Sequence, residues 1–145
     1  MLSLLCAAQN PDPRAAQSYI EKAYSLCQRA RDAEKPALYT EASGALDRAL
    51  ELSPANYEAL KLRVVVLLGL HDFSEALRHA KELNKKVPDD ISVWGYMVDA
   101  NMALGEYDEA EKDAQWILDL RRGLGRAGRR RRLRRRPRTS TMGRS

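Results

Sequence analysis

What the sequence has little of already narrows its structural class. Aromatic residues make up 6% of the 145 positions, and β-branched residues are scarce apart from the run Val64 to Val66. Because sheets are built largely from these residue types, their scarcity favours helices rich in Ala and Leu. No apolar stretch approaches the ~20 residues that a membrane-spanning helix requires, so no membrane span is expected.

Cysteine and histidine, which contribute to many catalytic and metal sites, are also sparse. Cys6 and Cys27 form no recognisable pair or metal motif, and Cys27 falls on a helical stripe as a small buried residue. His71 and His79 lie eight positions apart without a cysteine or carboxylate at metal-binding spacing. The GxGxxG string at residues 123–128 follows no strand, and no serine has a plausible His/Asp partnership. The sequence therefore predicts no metal, no cofactor and no enzymatic activity.

A spacing of 34 residues recurs along the chain. An aromatic residue precedes an alanine by three positions at 39/42, 73/76 and 107/110, where 73 − 39 and 107 − 73 both equal 34. Pro54 and Pro88 repeat at the same distance. Each period fits two short amphipathic helices joined by a turn. The predicted helices cover roughly 13–33, 36–53, 55–70, 73–86, 90–104 and 107–120, with Asp12 and Asp72 as caps and His71 and Gly105 in turns.

These motifs resemble the tetratricopeptide repeat, and the similarity covers Ala23 to Leu120. It implies an all-α, right-handed α-solenoid of about three helical hairpins over residues 13–122, with repeats at about 23–56, 57–90 and 91–122. The recurring alanines, Ala42, Ala76 and Ala110, should then lie in the core where helices cross, and the recurring aromatic residues should fill gaps between layers. The positions that depart from the family pattern are Arg29, Arg63, Val64, Leu83 and Val98.

The same resemblance implies a non-enzymatic protein–protein interaction module, or scaffold, whose concave groove binds a peptide or a helix. Members that clamp a terminal carboxylate use paired Lys and Asn on successive helices. Only Lys61 has that chemistry here, so a carboxylate clamp is not expected. The residues predicted to bind a partner in the groove are Arg31, Lys61, Val65, Leu68, Tyr96, Asp99 and Met102. Packing of Tyr96 between layers is an equally supported alternative to partner binding.

Charge divides the chain into two unlike parts. Residues 121–145 contain twelve arginines and no acid, so residues 1–120 hold 25 − 12 = 13 basic groups against all 20 acidic ones. Residues 123–145 are predicted to form a disordered Arg-rich tail, because like charges repel and little apolar area is available. Two interpretations of the tail stay open: non-specific binding of nucleic acid or another polyanion, or an ending that is translated out of frame or is otherwise not under selection.

Both ends of the chain carry further expectations. Residues 1–12 are interpreted as a frayed N-terminus or as the remnant of a signal peptide. The localisation is cytoplasmic by default, and the chain is exported if residues 1–8 are such a remnant. At the other end, Trp116, Ile117 and Leu120 are predicted to leave an uncovered apolar edge that supports weak homo-oligomerisation.

Overall fold

The computed structural model describes residues 12–134, with side chains to residue 123. Six α-helices and no strand make up this part of the chain. The all-helical prediction is confirmed, and the predicted bounds of the first five helices agree with the structure within two residues. The helices are α1 (Pro13–Asp32), α2 (Ala37–Leu52), α3 (Tyr57–Gly69), α4 (Phe73–Lys86), α5 (Ile91–Leu104) and α6 (Tyr107–Arg134).

Short polar side chains begin four of these helices. The carboxylate of Asp12 accepts hydrogen bonds from the backbone N–H groups of Arg14 and Ala15, at 3.0 and 3.2 Å. Asn56, Asp72 and Asp90 cap α3, α4 and α5 in the same way. Each cap satisfies backbone donors that the first helical turn leaves without a carbonyl partner. The prediction that Asp12 and Asp72 are caps is confirmed.

Three turn residues of the described chain adopt the left-handed backbone conformation: Glu34, and the two that the sequence predicts to lie in turns, Gly105 and His71. Gly105 ends α5 with φ of +80°, which costs glycine little because it has no Cβ. His71 takes φ of +62° in the turn between α3 and α4, and its ring stacks on Phe73 with centroids 5.6 Å apart. The sequence places Gly105 and His71 in turns, and the structure agrees.

Each helix packs against the next one in the chain, and α3 also contacts both α1 and α5. The buried residues form two hydrophobic clusters that meet at α3. Ala59 and Val66 of α3 belong to the first cluster, with residues of α1 and α2. Val64 belongs to the second cluster, with residues of α4 and α5. The fold is therefore repeat-like, with α3 buried on two faces between neighbouring hairpins.

The recurring alanines are buried as predicted: Ala42 and Ala76 are 0% exposed and Ala110 is 2% exposed. Small side chains at these points allow close approach of the helices. Arg63, which departs from the family pattern, forms an ion pair with Asp47 and so links α3 to α2.

The recurring aromatic residues do not all have the same surroundings. Tyr39 and Phe73 are partly buried, whereas Tyr107 is 63% exposed. The ring of Tyr39 lies against Gly69 of the following hairpin, so close that a Cβ at position 69 would be 2.5 Å from Tyr39 Cζ. Within the described residues, no further hairpin follows Tyr107. The expectation that Tyr107 fills a gap between layers is therefore wrong.

The largest difference from the sequence-based prediction is the length of α6. The sequence predicts that the array ends at residue 122 and that disorder begins at 123, but the backbone stays helical through Arg134. Arg, Leu and Ala favour helices, and the next proline is Pro137, beyond the end of α6. Residues 1–11 and 135–145 lie outside the described residues, and with them the proposed signal-peptide remnant, Cys6 and the end of the predicted tail.

The contact between Tyr39 and Gly69 yields a test of how the hairpins pack. Gly69→Ala should destabilise the protein by about 1–3 kcal/mol, because the new methyl group overlaps the tyrosine ring. Gly44→Ala is the matched control. Its Cβ would meet no atom within 4 Å on an exposed face of α2, so it should stabilise by about 0.5–1 kcal/mol.

Urea denaturation monitored by circular dichroism measures both changes. In a Tyr39→Leu background the cost of Gly69→Ala should fall, since the clashing ring atoms are gone. Equal effects of the two glycine substitutions would contradict the packing described here.

Candidate functional site

The first helices of the three hairpins, α1, α3 and α5, line an open pocket of about 510 Å³. Its volume lies within the range of ligand pockets in proteins. The lining residues are Gln17, Ile20, Glu21, Tyr24, Cys27, Gln28, Arg31, Glu58, Lys61, Leu62, Val65 and Tyr96. The pocket therefore spans all three hairpins, with most of its lining from α1 and α3.

The apolar part of the lining comes from side chains that also belong to the core. Ile20 and Cys27 are buried, and Leu62 and Val65 are partly buried. Burial raises the pKa of the Cys27 thiol to about 11, so the side chain stays a neutral thiol at physiological pH. Cys27 thus contributes apolar surface, as the sequence predicts, and is a poor nucleophile.

The remaining lining is polar and carries charges of both signs. Glu21, Arg31 and Glu58 are exposed, and Arg31 forms no ion pair within the described part of the chain. Tyr24 is 58% exposed, and its hydroxyl oxygen accepts a 2.7 Å hydrogen bond from Gln28 Nε2. An exposed guanidinium beside apolar surface is suited to binding a carboxylate on a partner.

Lys61 is already engaged by an acidic residue of the next hairpin. Its Nζ donates to Asp90 Oδ2 at 3.0 Å, and Tyr57 Oη donates to the same oxygen at 2.9 Å. Asp90 Oδ1 accepts from the backbone N–H of Ser92 at 2.9 Å, which caps α5. One carboxylate therefore joins the first two turns of α3 to the start of α5.

The ionisation of this group of three side chains follows from partial burial and mutual contact. Burial alone would raise the pKa of Asp90, but hydrogen bonds from Lys61, Tyr57 and Ser92 bring it below its usual value. Burial and the hydrogen bond to Asp90 raise the pKa of Tyr57 well above its ordinary value. At neutral pH the carboxylate is therefore charged and the phenol remains a donor.

The structure brings together four of the seven predicted groove residues: Arg31, Lys61, Val65 and Tyr96 all line the pocket. Leu68 packs against the second hydrophobic cluster and does not line the pocket, whereas Tyr96 does both, so packing and an accessible pocket surface coexist at Tyr96. Asp99 and Met102 are exposed on α5 and do not line the pocket, and Met102 keeps 52% of its accessible surface. The pocket lies towards the N-terminal end of the predicted groove.

Sequence reasoning missed the contribution of the start of α1. Gln17, Ile20 and Glu21 line the pocket but precede residue 23, where the predicted first repeat begins. The helical spacing of Gln17, Ile20 and Tyr24 would have indicated that they share one face with Cys27 and Arg31. The contact between Lys61 and Asp90 was also missed, because no pattern along one helix reports a pairing between residues 29 positions apart.

Three further features of the described residues concern metal binding, the histidine His79 and membrane spanning. No three His, Cys, Asp or Glu side chains between residues 12 and 123 come together in a way that could hold a metal ion. His79 is partly buried beside Arg78 and Glu75. The pKa of His79 is lowered, mainly by burial and to a smaller extent by the positive charge of Arg78. None of the helices in the described range has both the length and the apolar character needed to cross a membrane.

The role of Asp90 can be tested by two substitutions. Asp90→Ala should destabilise the fold by about 2 kcal/mol, because α5 loses its cap and both Lys61 and Tyr57 lose their acceptor. Asp89→Ala, which removes the adjacent exposed carboxylate, is the control and should have a small effect.

The pH dependence of stability adds a second measurement. Because the folded-state pKa of Asp90 lies below its unfolded-state value, its contribution is present above about pH 4 and is lost as the pH falls through the folded-state pKa. Asp90→Asn should therefore flatten the stability profile below about pH 4 in thermal melts. A profile identical to that of the wild-type protein would show that the charge of Asp90 adds nothing.

The sequence matches no model of a known protein family, and no curated protein is similar to it. The likeness to tetratricopeptide repeats accordingly rests on the recurring residues themselves. What the structure adds is an all-helical, repeat-like fold with a pocket along the first helices of its hairpins.

Proposed function

We propose that the protein is a non-enzymatic interaction module that binds a peptide or a helix of a partner protein in the pocket along α1, α3 and α5. The observation that carries the proposal is the combination of apolar lining at Ile20, Leu62 and Val65 with exposed charged groups around it. Protein-binding sites commonly have such an apolar centre and a polar rim. A right-handed α-solenoid of tetratricopeptide type is the architecture proposed for this module.

The charges around the pocket define the chemistry of the proposed ligand. Lys61 is neutralised by Asp90, so Arg31 is the cation best placed to bind a partner's carboxylate. Glu21 and Glu58 disfavour a strongly acidic ligand. We therefore expect a segment with one large apolar side chain, one acidic residue near it and few further negative charges. A clamp for a terminal carboxylate is not proposed, because Lys61 already has a carboxylate partner.

Selection from a phage-displayed random peptide library on the full-length chain tests this proposal. Peptides that bind should share an apolar residue with an acidic neighbour. Val65→Asp and Arg31→Glu should each weaken their binding by about tenfold or more, because one removes apolar contact and the other reverses the cation. Tyr96→Ala should also weaken binding of these peptides, because Tyr96 is the residue of α5 that lines the pocket.

Arg29→Glu is the matched control, since Arg29 is an exposed residue of α1 that does not line the pocket. It makes the same charge reversal two positions from Arg31. If Arg29→Glu and Arg31→Glu weakened binding equally, the effect would be one of net charge and the pocket would not be the site. Failure to select any peptide would leave the proposal without support.

Polyanion binding through the arginines is the second candidate function, and the length of α6 favours it. Residues 121–134 contain eight arginines and no acid, and their backbone is one continuous helix. Arginine-rich segments bind phosphate groups with a strong dependence on salt. Without aromatic residues in this segment, stacking on bases and sequence-specific recognition are not expected.

Deletion of residues 121–145 separates the two functions. The shortened chain should lose retention on heparin and keep its affinity for the selected peptides, with circular dichroism confirming that the helices remain. Loss of peptide binding together with heparin binding, in a chain that is still folded, would favour the arginine-rich segment as the binding site for both.

A further inference from the structure

An apolar strip on α6 has no partner within the described chain. Tyr107, Ala114 and Leu118 are seven and four residues apart, a spacing that places them on one side of the helix. Tyr107 is 63% exposed and Leu118 is 47% exposed, while Ala114 is partly covered. We call these three residues the outer strip of α6.

The corresponding positions of α2 and α4 are covered. Thirty-four residues before Ala114 is Ala80, and 34 before that is Leu46, and both are 0% exposed. The residues at the positions of Tyr107 and Leu118 in α2 are Tyr39 and Leu50, and both pack against the first hydrophobic cluster. In α4 the equivalents of Tyr107 and Leu118 are Phe73 and Asn84, which are partly buried, so the outer strip matches the apolar surface that α2 buries and that α4 buries at Ala80.

This strip differs from the apolar edge that the sequence predicts. Ile117 and Leu120 are partly buried against the second hydrophobic cluster, so they face the body of the protein. The ring of Trp116 lies 5.2 Å from that of Trp94 and keeps 39% exposure. The exposed apolar surface of α6 is therefore mainly on a different side of the helix.

Acidic residues predominate in α6 before Leu118 and arginines after it, although Lys112 pairs with Glu109 and Asp119 lies 3.7 Å from Arg122. The first turn of α6 contains Asp108 and Glu109, Glu111 follows, and Arg121 and Arg122 come after Leu118. Asp108, Glu111, Arg121 and Arg122 are all exposed. A second α6 running in the opposite direction would present its arginines to these acids and its acids to these arginines.

We propose that the outer strip of α6 is a dimerisation surface on which a second copy of this chain packs, with the two α6 helices antiparallel. Centred between Ala114 and Leu118, such a pair brings Glu111 of each copy level with Arg121 of the other. The two-fold symmetry makes every favourable contact occur twice. A parallel pair would instead bring like charges together along its whole length.

Sedimentation equilibrium of the full-length chain tests the proposal. The wild-type protein should show a monomer–dimer equilibrium, and Leu118→Asp should raise the dimer dissociation constant by about tenfold or more. Leu70→Asp is the matched control, because Leu70 is 40% exposed at the end of α3 and lies away from the strip. It should leave the dissociation constant unchanged.

A charge exchange tests the antiparallel direction. Glu111→Arg alone should weaken the dimer about threefold to tenfold, since it places a positive charge opposite Arg121 at both ends of the helix pair. Adding Arg121→Glu to the same chain should restore the dimer, because the pair is then re-formed with its signs exchanged. In a parallel dimer the second substitution would bring no such recovery.

Three results would overturn the proposal. The first is a wild-type chain that remains monomeric up to about 100 μM, a concentration at which a weak dimer would be populated. The second is a dimer that Leu118→Asp and Leu70→Asp affect equally. The third is a dimer that the charge exchange fails to restore although circular dichroism shows the variant to be folded.

Discussion

The arrangement of the helices depends on α3, which has apolar residues on more than one face and must bury them all. Val64 and Val66, two positions apart, point into different hydrophobic clusters and are 0% and 1% exposed. A helix of 13 residues with this pattern is not stable in water by itself. It becomes stable only between two neighbours, so the hairpin of α1 and α2 and the helices α4 and α5 are held together through α3. The ion pair between Arg63 and Asp47 adds a polar contact on one side of the same helix.

Burial of α3 on two sides also creates the pocket. Because α3 contacts both α1 and α5, the first helices of the hairpins form one continuous surface. Asp90 then fixes the spacing between α3 and α5, since it binds Lys61 and Tyr57 on one helix and caps the other. Lys61, which the sequence analysis predicts to bind a partner, therefore has a structural role. That contact leaves Arg31 as the cation available to a partner.

Sequence patterns correctly predicted the features that depend only on residues close together in the chain. The buried stripe of α1, the caps at Asp12 and Asp72 and the left-handed turn at Gly105 all follow from residue type and helical spacing, and all are found. The predictions that were wrong concern contacts between helices, which the periodicity of the sequence does not report. Tyr107 occupies the same position as Tyr39, yet within residues 12–134 a following helix covers Tyr39 and none covers Tyr107. In the same way, the pattern placed Leu68 in the groove, whereas packing turns it towards the second cluster.

The length of α6 determines how charged residues are distributed along this helix. At about 1.5 Å per residue, its 28 residues extend about 42 Å, twice the length of α4 or α5. A helix keeps residues in linear order, so the acidic first turns and the arginines after Leu120 cannot mix as they would in a flexible chain. Most acidic residues of α6 and most of its arginines are therefore held at opposite ends of one backbone helix.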